Sequence, residues 1–173
     1  MRDATTADAA ACAALYAPYV TGTTVSFEEE PPDAAEMARR IAVAQTGHAW
    51  LVAERVGRVV GYAYAGAFRA RPAYRHTCEV SVYVDAADHG HGTGRTLYAA
   101  LLERMRETGM RSAVGGATMP NEPSERLHRS LGFEVVGTFR EVGHKQGRWC
   151  DVRWFQKSLT TGGSTEAARP DPA

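Results

Sequence analysis

The chain has 173 residues, 44% of them hydrophobic, with 20 Lys and Arg balanced by 20 Asp and Glu. This suits one domain around one core, and the neutral balance speaks against a nucleic-acid binder, though not against a local pocket for a small anion. Cys12, Cys78 and Cys150 are odd in number, far apart and in no CxxC spacing, so neither a disulfide framework nor a metal site is expected; without a leader pattern or a bilayer-length apolar run, the expectation is a cytoplasmic protein off the membrane.

Ala7 to Tyr19 is alanine-rich, with Thr6 or Asp8 available as a cap, and predicts a helix. Pro31-Pro32 breaks the chain, and Asp33 caps a second helix to about Ala44. W-L-V-A-E-R-V and V-V-G-Y-A-Y-A read as strands joined by a tight turn at Gly57-Arg58, and T-C-E-V-S-V-Y-V as a third strand ending at Val84. Leu97, Leu101 and Met105 share one helical face, so Gly94 to Thr108 forms an amphipathic helix that Gly109 ends. Ser112 to Thr118 is a short buried strand, and Glu122 to Leu131 is a helix stopped by Gly132. Strands at about Glu134 to Val142 and Trp149 to Lys157 flank the hairpin connection H-K-Q-G-R. The order α-α-β-β-β-α-β-α-β-β describes a mixed α/β (α+β) domain over residues 1–159, with helices packed on a mixed sheet. The polar, small-residue stretch over 160–173 reads as a disordered tail.

Between the third strand and its helix stands D-H-G-H-G-T-G-R-T-L-Y, from Asp88 to Tyr98. A strand, a glycine-rich loop and a helix together make an anion site, because exposed N–H groups and the positive end of the helix dipole converge. The spacing G-x-G-x-G lacks the lysine of a P-loop and differs from the dinucleotide fingerprint G-x-G-x-x-G. By itself the loop indicates a pyrophosphate or similar group, or a turn without a ligand. Glu79 sits in an apolar strand, where period two puts it on one face with Ser81 and Tyr83. Partial burial should raise its pKa, which suits a general base; a structural pair with Arg71 or Arg75 is the alternative. In F-R-A-R-P-A-Y, Arg69 and Arg71 are two apart and suit a bidentate anion, or are simply solvated. Phe27 and Tyr74 are candidate apolar walls.

E-V-S-V-Y-V, H-G-H-G-T-G-R-T-L-Y and P-N-E-P-S-E-R-L-H-R-S-L-G-F together resemble the acetyl-CoA core of the GNAT-superfamily N-acetyltransferases. T-T-V-S-F-E-E-E-P, R-A-R-P-A-Y and G-T-F-R-E-V-G-H-K-Q-G-R-W-C-D-V narrow the resemblance to the phosphinothricin acetyltransferase group, over about Ala4 to Leu159. The resemblance implies the GNAT fold, a central twisted mixed sheet with helices on both faces, and acetyl-CoA as co-substrate. Gly92 and Gly94 match the small positions of the family's R/Q-x-x-G-x-G/A loop, and His89 stands where arginine or glutamine is usual. The implied pyrophosphate grip is the backbone of Gly90, His91, Gly92, Thr93, Gly94 and Arg95. Val82, Tyr83 and Val84 would pair with the pantetheine arm, beside a gap in the sheet. Asn121 would hydrogen-bond the same arm, Ser130 would reach the cofactor, and Ser124 reads as the N-cap or near-cap of its helix, with ligand contact secondary.

By the same resemblance Glu79 is the base, and His128 is the acid or part of a proton path with Glu79. Without the resemblance, His128 reads as an ordinary surface residue. The acceptor site would comprise Phe27, Arg69, Ala70, Arg71, Tyr74, Glu79, Val80 and Ser81. Its substrates would be amino acids carrying tetrahedral phosphorus or sulfur: phosphinothricin, methionine sulfoximine and methionine sulfone. A homodimer is implied, in which the C-terminal hairpin helps close the acceptor site; Cys150 and Arg153 depart from the family pattern there. The alternatives are another small amine, a protein N-terminus, or a non-catalytic module that binds acyl-CoA.

Overall fold

The structure is a computed structural model describing residues 1–160, so of the expected tail over 160–173 all but Thr160 lies outside the described residues. Its strands are β1 (Arg2–Asp3), β2 (Trp50–Arg55), β3 (Arg58–Ala67), β4 (Thr77–Val84), β5 (Ser112–Met119), β6 (Glu134–Lys145) and β7 (Arg148–Ser158). They form one mixed sheet in the order β1-β2-β3-β4-β5-β7-β6, in which only β4 and β5 run parallel. Helices α1 (Ala9–Gly22) and α2 (Ala34–Gln45) cover one face; α3 (Thr93–Glu107) and α4 (Glu122–Ser130) cover the other. Helices on both faces of a mixed sheet are what the sequence led us to expect.

Two cores follow from the layering. Cys12, Tyr16, Val20, Met37 and Ile41 pack on Trp50, Val52 and Tyr62. Leu97, Tyr98, Leu101 and Met105 pack on Cys78, Val80 and Phe155 from the other side. Asp33 caps α2 as expected, its side chain accepting from the Glu36 amide at 2.8 Å. Asp8 stands at the N-cap of α1, one of the two expected positions, but its side chain does not cap the helix. Thr5 opens a short 3-10 turn, and Asp8 is buried as the partner of the Arg2 fork, with both contacts at 2.7 Å. That hydrogen-bonded guanidinium holds the Asp8 carboxyl down at about 2, against the opposing effect of burial. Pairing of Arg2 and Asp3 with Val52 and Leu51 makes β1, a strand too short to leave a periodic signal. The last two strands run longer than expected and meet at a turn on Gln146 and Gly147. All three cysteines are free and buried. No helix among the described residues is long and apolar enough to cross a membrane.

The turn between β2 and β3 also differs from expectation. Arg55 pairs with Arg58, so the turn residues are Val56 at φ 51° and Gly57 at φ 72°. A two-residue hairpin wants left-handed backbone at both central positions. Glycine adopts it freely, whereas a β-branched L-residue does so under strain. Val56 is fully exposed and has no packing to lose. Val56→Asn is therefore expected to stabilise the fold by about 1 kcal/mol, read as a higher urea midpoint at unchanged m-value.

Candidate active site

β4 pairs with β5 over three residues only, Thr77–Glu79 against Ser112–Val114. Beyond them β4 keeps β3 as its neighbour as far as Val84, and β5 keeps β7 as far as Met119. The two strands part there and leave a wedge in the middle of the sheet. The Tyr98 hydroxyl, from α3, lies 3.1 Å from the Val80 carbonyl, the first beyond the last shared pair, and donates to it in place of a β5 amide. Two residues on, the alternation turns the backbone N–H and C=O of Val82 to the same open edge.

The glycine loop lies at the wide end. Gly90 and Gly92 have φ of 81° and 78°, a backbone that glycine adopts without strain. Gly92 is also the N-cap of α3 and brings no side chain to satisfy its first amides. The N–H groups of Thr93, Gly94 and Arg95 lack intrahelical acceptors, and with the helix dipole they form an anion cradle. The loop is clamped from below by Asp88, which is buried, accepts from the Thr93 hydroxyl and pairs with Arg55 at 2.8 Å. The Thr93 bond, and then Arg55, hold its carboxyl below the usual range. The ring of His89, at the motif's arginine or glutamine position, is engaged locally. Its Nε2 lies 3.1 Å from both the Val84 carbonyl and the Tyr19 hydroxyl, which itself donates to Val84 at 2.5 Å.

Glu79, Ser81 and Tyr83 share the face toward α1 and α2, as period two predicts. Tyr83 meets Tyr16 and Tyr19 edge-on at 4.8 and 5.2 Å. Half-burial raises the Glu79 carboxyl above its ordinary pKa, and the Arg69 charge partly offsets this. The alternative pairing of Glu79 with Arg71 or Arg75 is not formed. Arg69, Ala70, Arg71 and Tyr74 lie exposed on the β3–β4 loop, and the Arg69 guanidinium covers the Phe68 ring at 4.9 Å. Phe68 in turn touches Tyr74 and Trp154 edge-on, with centroids 5.8 and 5.9 Å apart. Sequence reasoning missed Phe68 and Trp154; Phe68 adjoins the arginine pair, but Trp154 arrives from a distant strand. Phe27 packs over Gly143, where a Cβ would collide with its ring. Val80 corrects one expectation: its side chain turns into the α3 core, so only its backbone reaches the wedge.

On the other face, His128 is buried and not a surface residue. It lies flat on Phe155 at 4.4 Å and 12°, and edge-on to Phe133 and Tyr98. Its Nδ1 is 2.8 Å from the Ser124 carbonyl, which can only accept, so Nδ1 carries the hydrogen. Burial lowers its pKa, so the ring is neutral near pH 7 and Nε2 stands bare, 3.2 Å from the Tyr98 hydroxyl. Only a glycine fits at 115: a Cβ there would fall 2.8 Å from Nε2 and 3.1 Å from the Tyr98 oxygen. Glu79 and His128 thus approach the wedge from opposite faces and do not touch. Asn121, rather than Ser124, caps α4, its Oδ1 accepting from the Ser124 amide at 3.1 Å, which leaves the Asn121 amide nitrogen as a donor. The Ser130 hydroxyl donates back to the Leu127 carbonyl at 2.8 Å. Arg153 turns toward α4: it pairs with Glu125 there and reaches the Thr138 hydroxyl at 3.2 Å. Cys150 is buried.

The acetyltransferase (GNAT) domain family matches residues 1–154. The phosphinothricin N-acetyltransferase of Streptomyces viridochromogenes is 40% identical over 170 residues, covering 98% of this chain and 93% of the relative. The L-methionine sulfoximine/L-methionine sulfone acetyltransferase of Pseudomonas paraeruginosa is also 40% identical, with 92% and 94% covered. Among solved structures, the GNAT-superfamily phosphinothricin acetyltransferase of Sinorhizobium meliloti in complex with acetyl-CoA superposes with a TM-score of 0.88 at 38% identity, covering 98% of this chain and 95% of that one. A mid-sheet wedge, an uncapped helix behind a glycine loop and this agreement over nearly the whole length lead to one conclusion: the chain belongs to the GNAT acetyltransferase family.

Proposed function

We propose that this enzyme transfers the acetyl group of acetyl-CoA to the α-amino group of a small amino acid of the phosphinothricin, methionine sulfoximine or methionine sulfone class. The observation that carries the reading is Glu79, a carboxylate of raised pKa at the last shared pair before β4 and β5 part. The residues fit the co-substrate: the amides from Gly90 to Arg95 would take its pyrophosphate, and the open backbone edge at Val82, with the Asn121 amide nitrogen, would take the pantetheine arm; Tyr83 faces β3 and the Val84 carbonyl is already held by Tyr19. Acetyl-CoA supplies an acyl group activated as a thioester.

An amine attacks only after losing its proton, and Glu79 is the group to receive it. As the C–N bond forms and the C–S bond breaks, the leaving thiolate needs a proton. His128 is neutral with Nε2 bare, so it takes up a proton between steps and delivers it, with the Tyr98 hydroxyl beside it at the wedge. Arg69 and Arg71 would hold the acceptor's anionic groups, with Phe27 and Tyr74 as walls. The exposed apolar side chains of Val135, Val136, Phe139, Val142 and Trp149 on β6 and β7 support a homodimer through that hairpin.

Three outcomes test the reading. In a panel of acceptors, thiol release from acetyl-CoA should be fastest with the tetrahedral phosphorus and sulfur amino acids, and slow with alkylamines and alanine-terminated peptides. Equal rates on a carboxylate-free amine would refute the acceptor class. Glu79→Gln should lower turnover by about 10²–10⁴-fold, the usual size for loss of a general base, and leave acetyl-CoA affinity intact. Gly92→Val should abolish calorimetric binding of acetyl-CoA without unfolding the protein, because a β-branched residue at φ 78° distorts the cradle.

Arg69→Ala adds a signed pH effect. The Arg69 charge holds the Glu79 pKa down, so removing it should move the acid limb of kcat/KM to higher pH. Acceptor KM should rise about ten- to a hundredfold, the size of a lost charged hydrogen bond. An unmoved limb together with an unmoved KM would take Arg69 out of the site.

A further inference from the structure

Lys145, the last residue of β6, is 6% exposed, and the chemistry above does not use it. Its ammonium donates to the Val20 carbonyl at 2.5 Å and the Ser26 carbonyl at 2.7 Å. Among the described residues no carboxylate lies within ion-pair distance of it. A buried cation without a counter-charge is costly, so the groups it binds must need it. Val20 lies in the last turn of α1, where carbonyls lack intrahelical partners and the dipole favours a cation. Ser26 is the residue before Phe27.

Other contacts converge on the same loop. Gln146 Nε2 donates to the Thr21 carbonyl at 3.1 Å, and the Phe27 ring fills the space that Gly143 leaves. The Tyr16 hydroxyl lies 2.6 Å from Ser26 Oγ and 3.0 Å from Glu28 Oε1, and the Arg40 fork holds Glu28 at 2.7 and 3.0 Å. Tyr16 leans on Tyr83 of β4, the strand of Glu79. The loop is therefore fastened to the hairpin at one side and to the catalytic strand at the other.

We propose that Lys145 is a positioning residue for the acceptor, holding the Ser26–Phe27 segment where Phe27 can wall the acceptor pocket. It acts through the loop and does not touch substrate. The proposal rests on the reading of Phe27 as an acceptor wall. Tyr19 of α1 reaches the Val84 carbonyl, but the amides of the glycine loop are set by the start of α3 and by the Asp88 clamp, so the pyrophosphate grip does not run through this tether.

The experiment compares Lys145→Met and Lys145→Arg with the wild-type enzyme, using the best amino acid of the panel. Lys145→Met should raise acceptor KM about tenfold or more, the effect of leaving buried carbonyls unpaired, with little change in kcat or in acetyl-CoA affinity by calorimetry. Hydrogen exchange should quicken at residues 23–30 and stay constant at 89–96. Lys145→Arg, which restores charge and donors, should recover much of the KM. Unchanged acceptor KM, unchanged exchange at 23–30, or equal losses for both substrates would overturn the proposal. If Lys145→Met does not fold, Lys145→Gln and Gly143→Ala, which presses on Phe27 from the hairpin side, are read by the same criteria. A wild-type enzyme silent on every amino acid would instead overturn the acceptor reading; exchange needs no acceptor, so the two failures are distinguishable.

Discussion

A sheet that opens in its middle leaves backbone groups without partners, and each one buried unpaired costs about 1–3 kcal/mol. The parting of β4 and β5 therefore survives only because other groups stand in for the missing strand. Tyr98 serves the Val80 carbonyl, and Tyr19 serves the Val84 carbonyl at the far end of the same edge. His128 fills the space over Gly115, where any side chain would push it and Tyr98 aside. Between these fixed points Val82 keeps a free edge. The glycine loop, Glu79 and the helix that bears His128 are all arranged around that opening.

The opening also separates two titratable side chains into different environments. Glu79 faces α1 and α2, where half-burial makes its carboxylate a better proton acceptor and a nearby arginine limits the effect. His128 faces α3 and α4, sealed between aromatic rings that keep it uncharged. The same force, loss of hydration, thus raises the pKa of one group and lowers that of the other, because it always disfavours the charged form.

Much of this was legible in the residues. Alternation in T-C-E-V-S-V-Y-V put Glu79 on the right face, and the glycine spacing gave the uncapped start of α3. Asp33 declared its helix. What escaped the sequence depends on partners far along the chain. The parting of β4 and β5 is a fact of pairing, invisible in either strand alone. The burial of His128 follows from Phe155 and Phe133, and the orientation of Arg153 from Glu125. His89 sits at the motif position, but local bonds to Tyr19 and Val84 turn its ring away. The turn at Val56 was displaced by one residue because its conformation runs against the preference of valine.

The strand order has a further consequence, for the time at which the site is assembled during synthesis. β7 lies between β5 and β6, although it is made after both. While a chain is still emerging from the ribosome, β1 to β4 with α1 and α2 can already pair and pack. β5 can then find only β4, over its three shared residues, and β6 gains its neighbour only as β7 is made from Arg148 onward. His128 waits on the same event, since the ring it lies against, Phe155, belongs to β7. A nascent chain can therefore hold Glu79 and the glycine loop in place before His128 gains the ring it stacks on, which arrives only when the last strand inserts between β5 and β6.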